Sequence, residues 1–112
     1  MLITDLKKKI PDGVTIAGIE VRFECHKSVG ASVSAPLLQL TKDGSVGVGN
    51  VKSGSTPPDT TDAYQTVGGA ADLWGTTWTP SEINTGNFGV RLGESVTSGV
   101  VYIDHVQIAI TY

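Results

Sequence analysis

Apolar residues at every second position, in short runs cut by glycine and proline, leave this chain few folds to choose from. Ile19, Val21, Phe23 and Cys25 alternate with Glu20, Arg22, Glu24 and His26. A period of two puts one set on the core face of a strand and the other toward solvent. The alternation recurs at Leu38 and Leu40, at Val46 and Val48, from Ala63 to Val67, at Phe88, Val90 and Leu92, and from Val100 to Tyr112. Leu2 to Leu6 reads as a first, short strand.

Turn chemistry separates these runs. Ile10-Pro11-Asp12-Gly13 is a turn in which Pro11 presets φ and Gly13 supplies a permissive one. Lys42-Asp43-Gly44-Ser45 has the Asp-Gly signature of a hairpin. Ser28 to Ser34 reads as a loop or strand end, and Gly93 to Gly99 as a turn. The longest loop is Lys52 to Asp62, where Pro57-Pro58 excludes regular structure. The apolar parity changes twice, at Ala17-Gly18 and at Asp104-His105. A one-residue slip would flip every later side chain, so a β-bulge or bend is expected at each place.

Asp72 to Leu92 gathers both tryptophans, Trp74 and Trp78, and the one clear helix start. Thr79, Pro80, Ser81 and Glu82 form a capping box with proline at the first helical position. Asn84, Thr85 and Gly86 stop the helix after one turn. Taken together, the pattern predicts an all-β fold: a jelly-roll-like antiparallel β-sandwich of about 7–8 strands, with one short helical turn near residues 80–84. Residues 1–9 form an N-terminal arm or edge strand, and 10–112 a single sandwich domain.

Composition narrows the function. Charged residues are 17% of the chain, against a usual proportion of about a quarter. A surface largely covered by neighbours needs few charges. The net charge is −3 and the only basic run is Lys7-Lys8-Lys9, with no interleaved aromatic residue, so a nucleic-acid partner is not expected. Cys25 is the only cysteine, so no intramolecular disulfide forms. No apolar run is long enough for a signal peptide or a membrane span, which leads us to expect synthesis in a cytoplasm without export and no membrane partner.

The candidate chemistry is sparse. Asp104-His105 suggests a catalytic pair, but strand neighbours point to opposite faces and no nucleophile elbow is present. A structural role is expected, with Asp104 bonding backbone N–H groups at the bulge. Cys25 continues the apolar parity of Phe23, which favours a buried small hydrophobe over a zinc ligand with Glu24 and His26. Asp59, Asp62 and Asp72 flank the long loop and the Trp corner, without an EF-hand pattern. Trp74 and Trp78 offer two readings: a sugar-stacking platform, or plugs at one end of the sandwich. Catalytic residues, a metal and a cofactor are therefore not expected.

Several pieces together resemble a β-sandwich domain of tailed-bacteriophage structural proteins. They are Ile10-Pro11-Asp12-Gly13-Val14-Thr15-Ile16-Ala17-Gly18-Ile19-Glu20-Val21, Asp72-Leu73-Trp74-Gly75 with Trp78-Thr79-Pro80, Ile83-Asn84, Asn87-Phe88-Gly89-Val90-Arg91-Leu92, and Tyr102-Ile103-Asp104-His105-Val106-Gln107-Ile108. Members usually carry an extra stretch before the Ile-Pro-x-Gly turn, so here an early strand is expected to be short or missing, leaving an edge for another chain. A free-standing domain of this kind looks like a capsid decoration, or cement, protein. The resemblance implies a non-enzymatic protein made in the host bacterial cytoplasm and located on the virion, on the capsid surface. Its implied partners are the major capsid protein and further copies of itself, as a trimer. Capsid and subunit contacts are expected from Leu2, Ile3, Lys7, Lys8, Lys9, Pro57 and Pro58. The alternative is a tail, baseplate or fibre module that binds host-surface carbohydrate through Trp74 or Trp78.

Overall fold

The computed structural model describes residues 2–4, 9–59, 61–93 and 96–112. Its strands are β1 (Leu2–Thr4), β2 (Gly18–Lys27), β3 (Ser32–Val33), β4 (Leu37–Thr41), β5 (Gly47–Ser53), β6 (Ala63–Gly69), β7 (Gly89–Gly93), β8 (Val96–Ser98) and β9 (Val101–Thr111), with one helix, α1 (Pro80–Asn84), before β7. One sheet has the order β1-β7-β4-β5, the other β6-β2-β9, and β3 pairs with β8. All the strand pairings are antiparallel. The fold is an all-β sandwich, as the alternation predicts.

The core lies between the two main sheets. Leu38, Leu40, Val90 and Leu92 face Ile19, Val21, Phe23, Cys25, Val67 and Ile108 across it. The alternation in β2 is read out directly: Ile19, Val21, Phe23 and Cys25 have no exposed surface. Cys25 is thus the buried small hydrophobe that its parity suggests, and its Sγ takes a bond from Gln65 Nε2 at 3.4 Å.

Two boundaries differ from expectation. Val14 to Ala17 forms no strand, so the first parity change marks the start of β2 and is not a bulge within it. At Gly18 a Cβ would come within 2.2 Å of the Ala70 carbonyl carbon, just past the end of β6. On the other side the Ala17 N–H donates to the Thr111 carbonyl of β9 at 2.7 Å. The β3–β8 ladder puts β3 in the segment that reads as a loop or strand end and β8 in one that reads as a turn. Two residues in β3 are too few to show a period.

The second parity change is a bulge. Arg22 pairs with Gln107 and Glu24 with Asp104, so His105 and Val106 share the place opposite Phe23. His105 takes φ 48°. Its N–H donates to Asp104 Oδ1 at 3.1 Å, the backbone role expected for that carboxylate. Val101 and Ile103 before the bulge, and Val106, Ile108 and Ile110 after it, then lie on the core side.

Two side-chain amides hold the irregular segments. Asn84, the last residue of α1, receives the Ile10 N–H on Oδ1 at 2.7 Å and donates Nδ2 to the Ile10 carbonyl at 2.9 Å. Gln65 does the same for Ser55, with both bonds at 2.7 Å. Each amide imitates a neighbouring strand and satisfies both polar groups of one backbone residue. Asn84→Ala leaves the two part-buried Ile10 groups without these partners, and the expected loss is about 1–3 kcal/mol. Urea unfolding measures it, and a loss below the error of that method would remove the clamp from the account.

Candidate functional site

The Trp corner is closed. Asp72 Oδ1 accepts the Trp74 N–H at 2.8 Å, and the chain then turns through left-handed φ values of 60° at Trp74 and 73° at Gly75. This drives the Trp74 indole inward, where it has no exposed surface and donates Nε1–H to the Ile19 carbonyl at 2.8 Å. Trp78 is 6% exposed, donates to the Leu73 carbonyl at 3.0 Å and meets Phe88 edge to face at 5.4 Å. A sugar-stacking platform needs an open ring face. Neither indole presents one, so the plug reading of both tryptophans replaces the platform reading.

Lysines seal what burial leaves. Lys52 Nζ lies 5.4 Å from the Trp74 ring and 2.7 Å from Asp72 Oδ2. Lys42 Nζ lies 5.0 Å from the Trp78 ring and 2.8 Å from Glu82 Oε2. The same two carboxylates serve the backbone, Asp72 at Trp74 and Glu82 at the capped Thr79 N–H, 2.9 Å away. The bond from Lys52, then that from the Trp74 N–H, holds the Asp72 carboxyl below the usual Asp range. The bond from Lys42 does the same for Glu82. Unfolding returns both to ordinary values near about 4. The folded chain therefore binds fewer protons in the acid range, and the stabilisation, full above the ordinary carboxyl values, is lost as pH falls through the lowered ones. Tm followed from neutral to strongly acidic pH should drop on that limb, and Lys42→Met and Lys52→Met should each flatten it.

The residues expected to make contacts have different settings. Leu2 and Ile3 lie in β1, opposite Arg91 and Val90 of β7. The early strand is thus short, and it fills the edge of its own sheet. Lys7 and Lys8 lie outside the described residues, and Lys9 is exposed. Pro57 is fully buried, which corrects the outward role given to it, and Pro58 is half-buried. The loop around them is tied down: Gly54 N–H bonds the Pro36 carbonyl and Lys27 N–H the Pro58 carbonyl, each at 2.8 Å. A proline pair excludes a strand but does not tell which way its rings point.

The three aspartates flanking the loop also separate. Asp59 pairs with Lys27 at 3.7 Å, Asp62 with His26, and Asp72 with Lys52. Among the described residues no group of three His, Cys, Asp or Glu side chains is placed to hold a metal ion. Asp104 and His105 approach to 3.8 Å, with both side chains 65% exposed. They stand on the outer rim of the bulge.

Two surfaces remain. On the outer face of β6-β2-β9 the Arg22 guanidinium lies 3.9 Å from the Tyr64 ring centroid, and the His26 ring stacks on Tyr102 at 4.5 Å. The Tyr64 phenol is pushed up by its bond to the Glu24 carboxylate. His26 holds Asp62 below the usual Asp range. The outward parity of Arg22, Glu24 and His26 is legible in sequence, but their cross-strand partners are not. On the outer face of the other sheet, Leu37, Gln39, Val51 and Arg91 line a shallow depression of about 520 Å³. Leu37 is 51% and Val51 56% exposed. Ser45 completes the polar part of this lining, and such a face, with exposed apolar side chains beside one guanidinium, is suited to docking a surface. No family model, curated protein or solved structure matches the chain.

Proposed function

We propose that this protein is a virion structural protein that binds the outer surface of a capsid shell and stabilises it as a cement, rather than an enzyme. The reading starts from the resemblance of the sequence to phage β-sandwich domains. The observation that carries it further is that β1, which contains Leu2 and Ile3, belongs to the same sheet as the apolar depression, with Leu2 in register with Arg91. The N-terminal strand and the exposed Leu37 and Val51 thus belong to one side of the sandwich. A cement gains its effect from modest contacts multiplied by symmetry, and a rigid sheet face with few charges suits that task.

The test is binding to expanded shells of the encoding virus, prepared without this protein. Leu37→Asp and Val51→Asp are expected to weaken binding about tenfold or more. Thr66→Asp, exposed on the other sheet, serves as the control and should bind like the parent. Shells that take up no protein, or virions that contain none, would overturn the reading.

A further inference from the structure

The sandwich ends on a long strand that nothing described covers. β2 and β9 are nearly equal in length, at 10 and 11 residues. β2 lies between β6 and β9, whereas β9 has only β2 beside it among the described residues. The difference shows in burial. The core-side residues of β2 are sealed, but Val101, Ile103, Val106 and Ile110 of β9 are only half-buried, and Ile108 alone is buried. An edge strand exposes a row of backbone N–H and C=O groups, and native proteins blunt such edges with charge, proline, a bulge or brevity.

The other edges carry those devices. β1 has three residues. β5 shifts register between the partners of Leu38 and Leu40 and carries Lys52. β6 ends in two glycines, with Gly68 at φ 88°. In β9 the bulge and the charges of Asp104 and His105 lie at one place, and beyond it runs Val106-Gln107-Ile108-Ala109-Ile110-Thr111-Tyr112 without charge, glycine or proline.

This run matches itself when reversed. About Ala109, Ile108 mirrors Ile110, Gln107 mirrors Thr111 and Val106 mirrors Tyr112. We infer that β9 pairs antiparallel with β9 of a second copy about a two-fold axis at Ala109, joining two three-stranded sheets into one of six strands. In that register Ile108 of one copy stands beside Ile110 of the other on the core side. Gln107 stands beside Thr111 on the outer face, and the alanines meet at the axis. Apolar meets apolar, polar meets polar, and no like charges face each other within the ladder. The half-buried Val106 and Ile110 gain cover. The paired run, Val106 to Tyr112, begins directly after the bulge at Asp104-His105. The contact is isologous and closes at two copies. It is independent of the virion reading, and it differs from the three-fold association that the phage resemblance implies, because a three-fold axis cannot bring two copies of one edge strand into antiparallel register.

Sedimentation of the full chain at low and high micromolar concentration tests it. The parent should sediment as a dimer at the higher concentration. Ala109→Lys should sediment as a monomer. Glu20 stands opposite Ala109 on β2, so the fold keeps a partner for the new charge, and far-UV circular dichroism should be unchanged. Cysteine capture gives a second readout, because the native Cys25 is fully buried. Under mild oxidation Ala109→Cys should form a disulfide-linked dimer, since facing residues of paired strands lie within bridging distance. Thr66→Cys, on the far edge of the same sheet, should not. A parent that stays monomeric throughout, a trimer, an oligomer whose mass survives Ala109→Lys, or equal capture at positions 66 and 109 would overturn the inference.

Discussion

Trp74→Ala is expected to cost about 3–5 kcal/mol, the range for deleting a large buried aromatic side chain. A domain of this size commonly has about 5–15 kcal/mol in all, so the variant should unfold at much lower urea concentration. The indole is the largest fully buried side chain, and it bridges parts of the chain far apart in sequence. Its N–H satisfies Ile19 in β2, while its backbone carbonyl accepts Asn50 N–H from β5 at 2.7 Å. Trp74→Phe separates the terms. It keeps much of the packing but leaves the Ile19 carbonyl without that donor, at about 1–3 kcal/mol. If Trp74→Ala loses less than Asn84→Ala in the same urea series, the corner is not what joins the two sheets.

Gly68→Ala should be nearly as damaging, for a reason found in the same indole. A Cβ on Gly68 would lie 2.3 Å from the Ile19 carbonyl oxygen and 2.8 Å from Trp74 Nε1, on a backbone with φ +88°. Overpacking and the left-handed conformation together are expected to cost about 2–5 kcal/mol. The two effects should not add. With the indole gone, part of the clash goes too, so the double variant should be more stable than the sum of the singles predicts, by about 0.5–3 kcal/mol. Strict additivity in urea unfolding would mean that Gly68 is needed for its backbone conformation and its approach to the Ile19 carbonyl, and not for the indole. Gly49 belongs to the same seat: its Cβ would stand 2.1 Å from the Trp74 carbonyl oxygen. Of the two glycines in β5, Gly49 is where the corner comes close, while Gly47 makes room for the Gln39 side chain.

What was legible in the sequence was local. The period in β2, the Asp43-Gly44 turn, the capping box at Thr79 and the parity change at Asp104-His105 each depend on residues within one or two turns of one another. All four appear where the pattern puts them. What stayed hidden depends on partners far along the chain. Nothing near Lys42 or Lys52 says that each will lie over an indole. Nothing near Asn84 says that it will clasp Ile10. The candidate surfaces share this property. Arg22 meets Tyr64, and His26 meets Tyr102, only because β2 lies between β6 and β9 in one particular register. Direction was equally hidden at Pro57, whose ring is buried.

The strand order also sets when this chain can fold during its synthesis. β1 waits for β7, β3 for β8, and β2 for β9. As the polypeptide leaves the ribosome, β2 emerges early and meets β6, but its other edge stays open until the last strand has cleared the exit tunnel. Ladders of such long sequence separation form late and slowly. A chain stalled before Val101 would hold β2 with one edge unpaired and the core without Ile108, exposed to chaperones and proteases alike. The emergence of β9 thus decides when β2 loses its open edge.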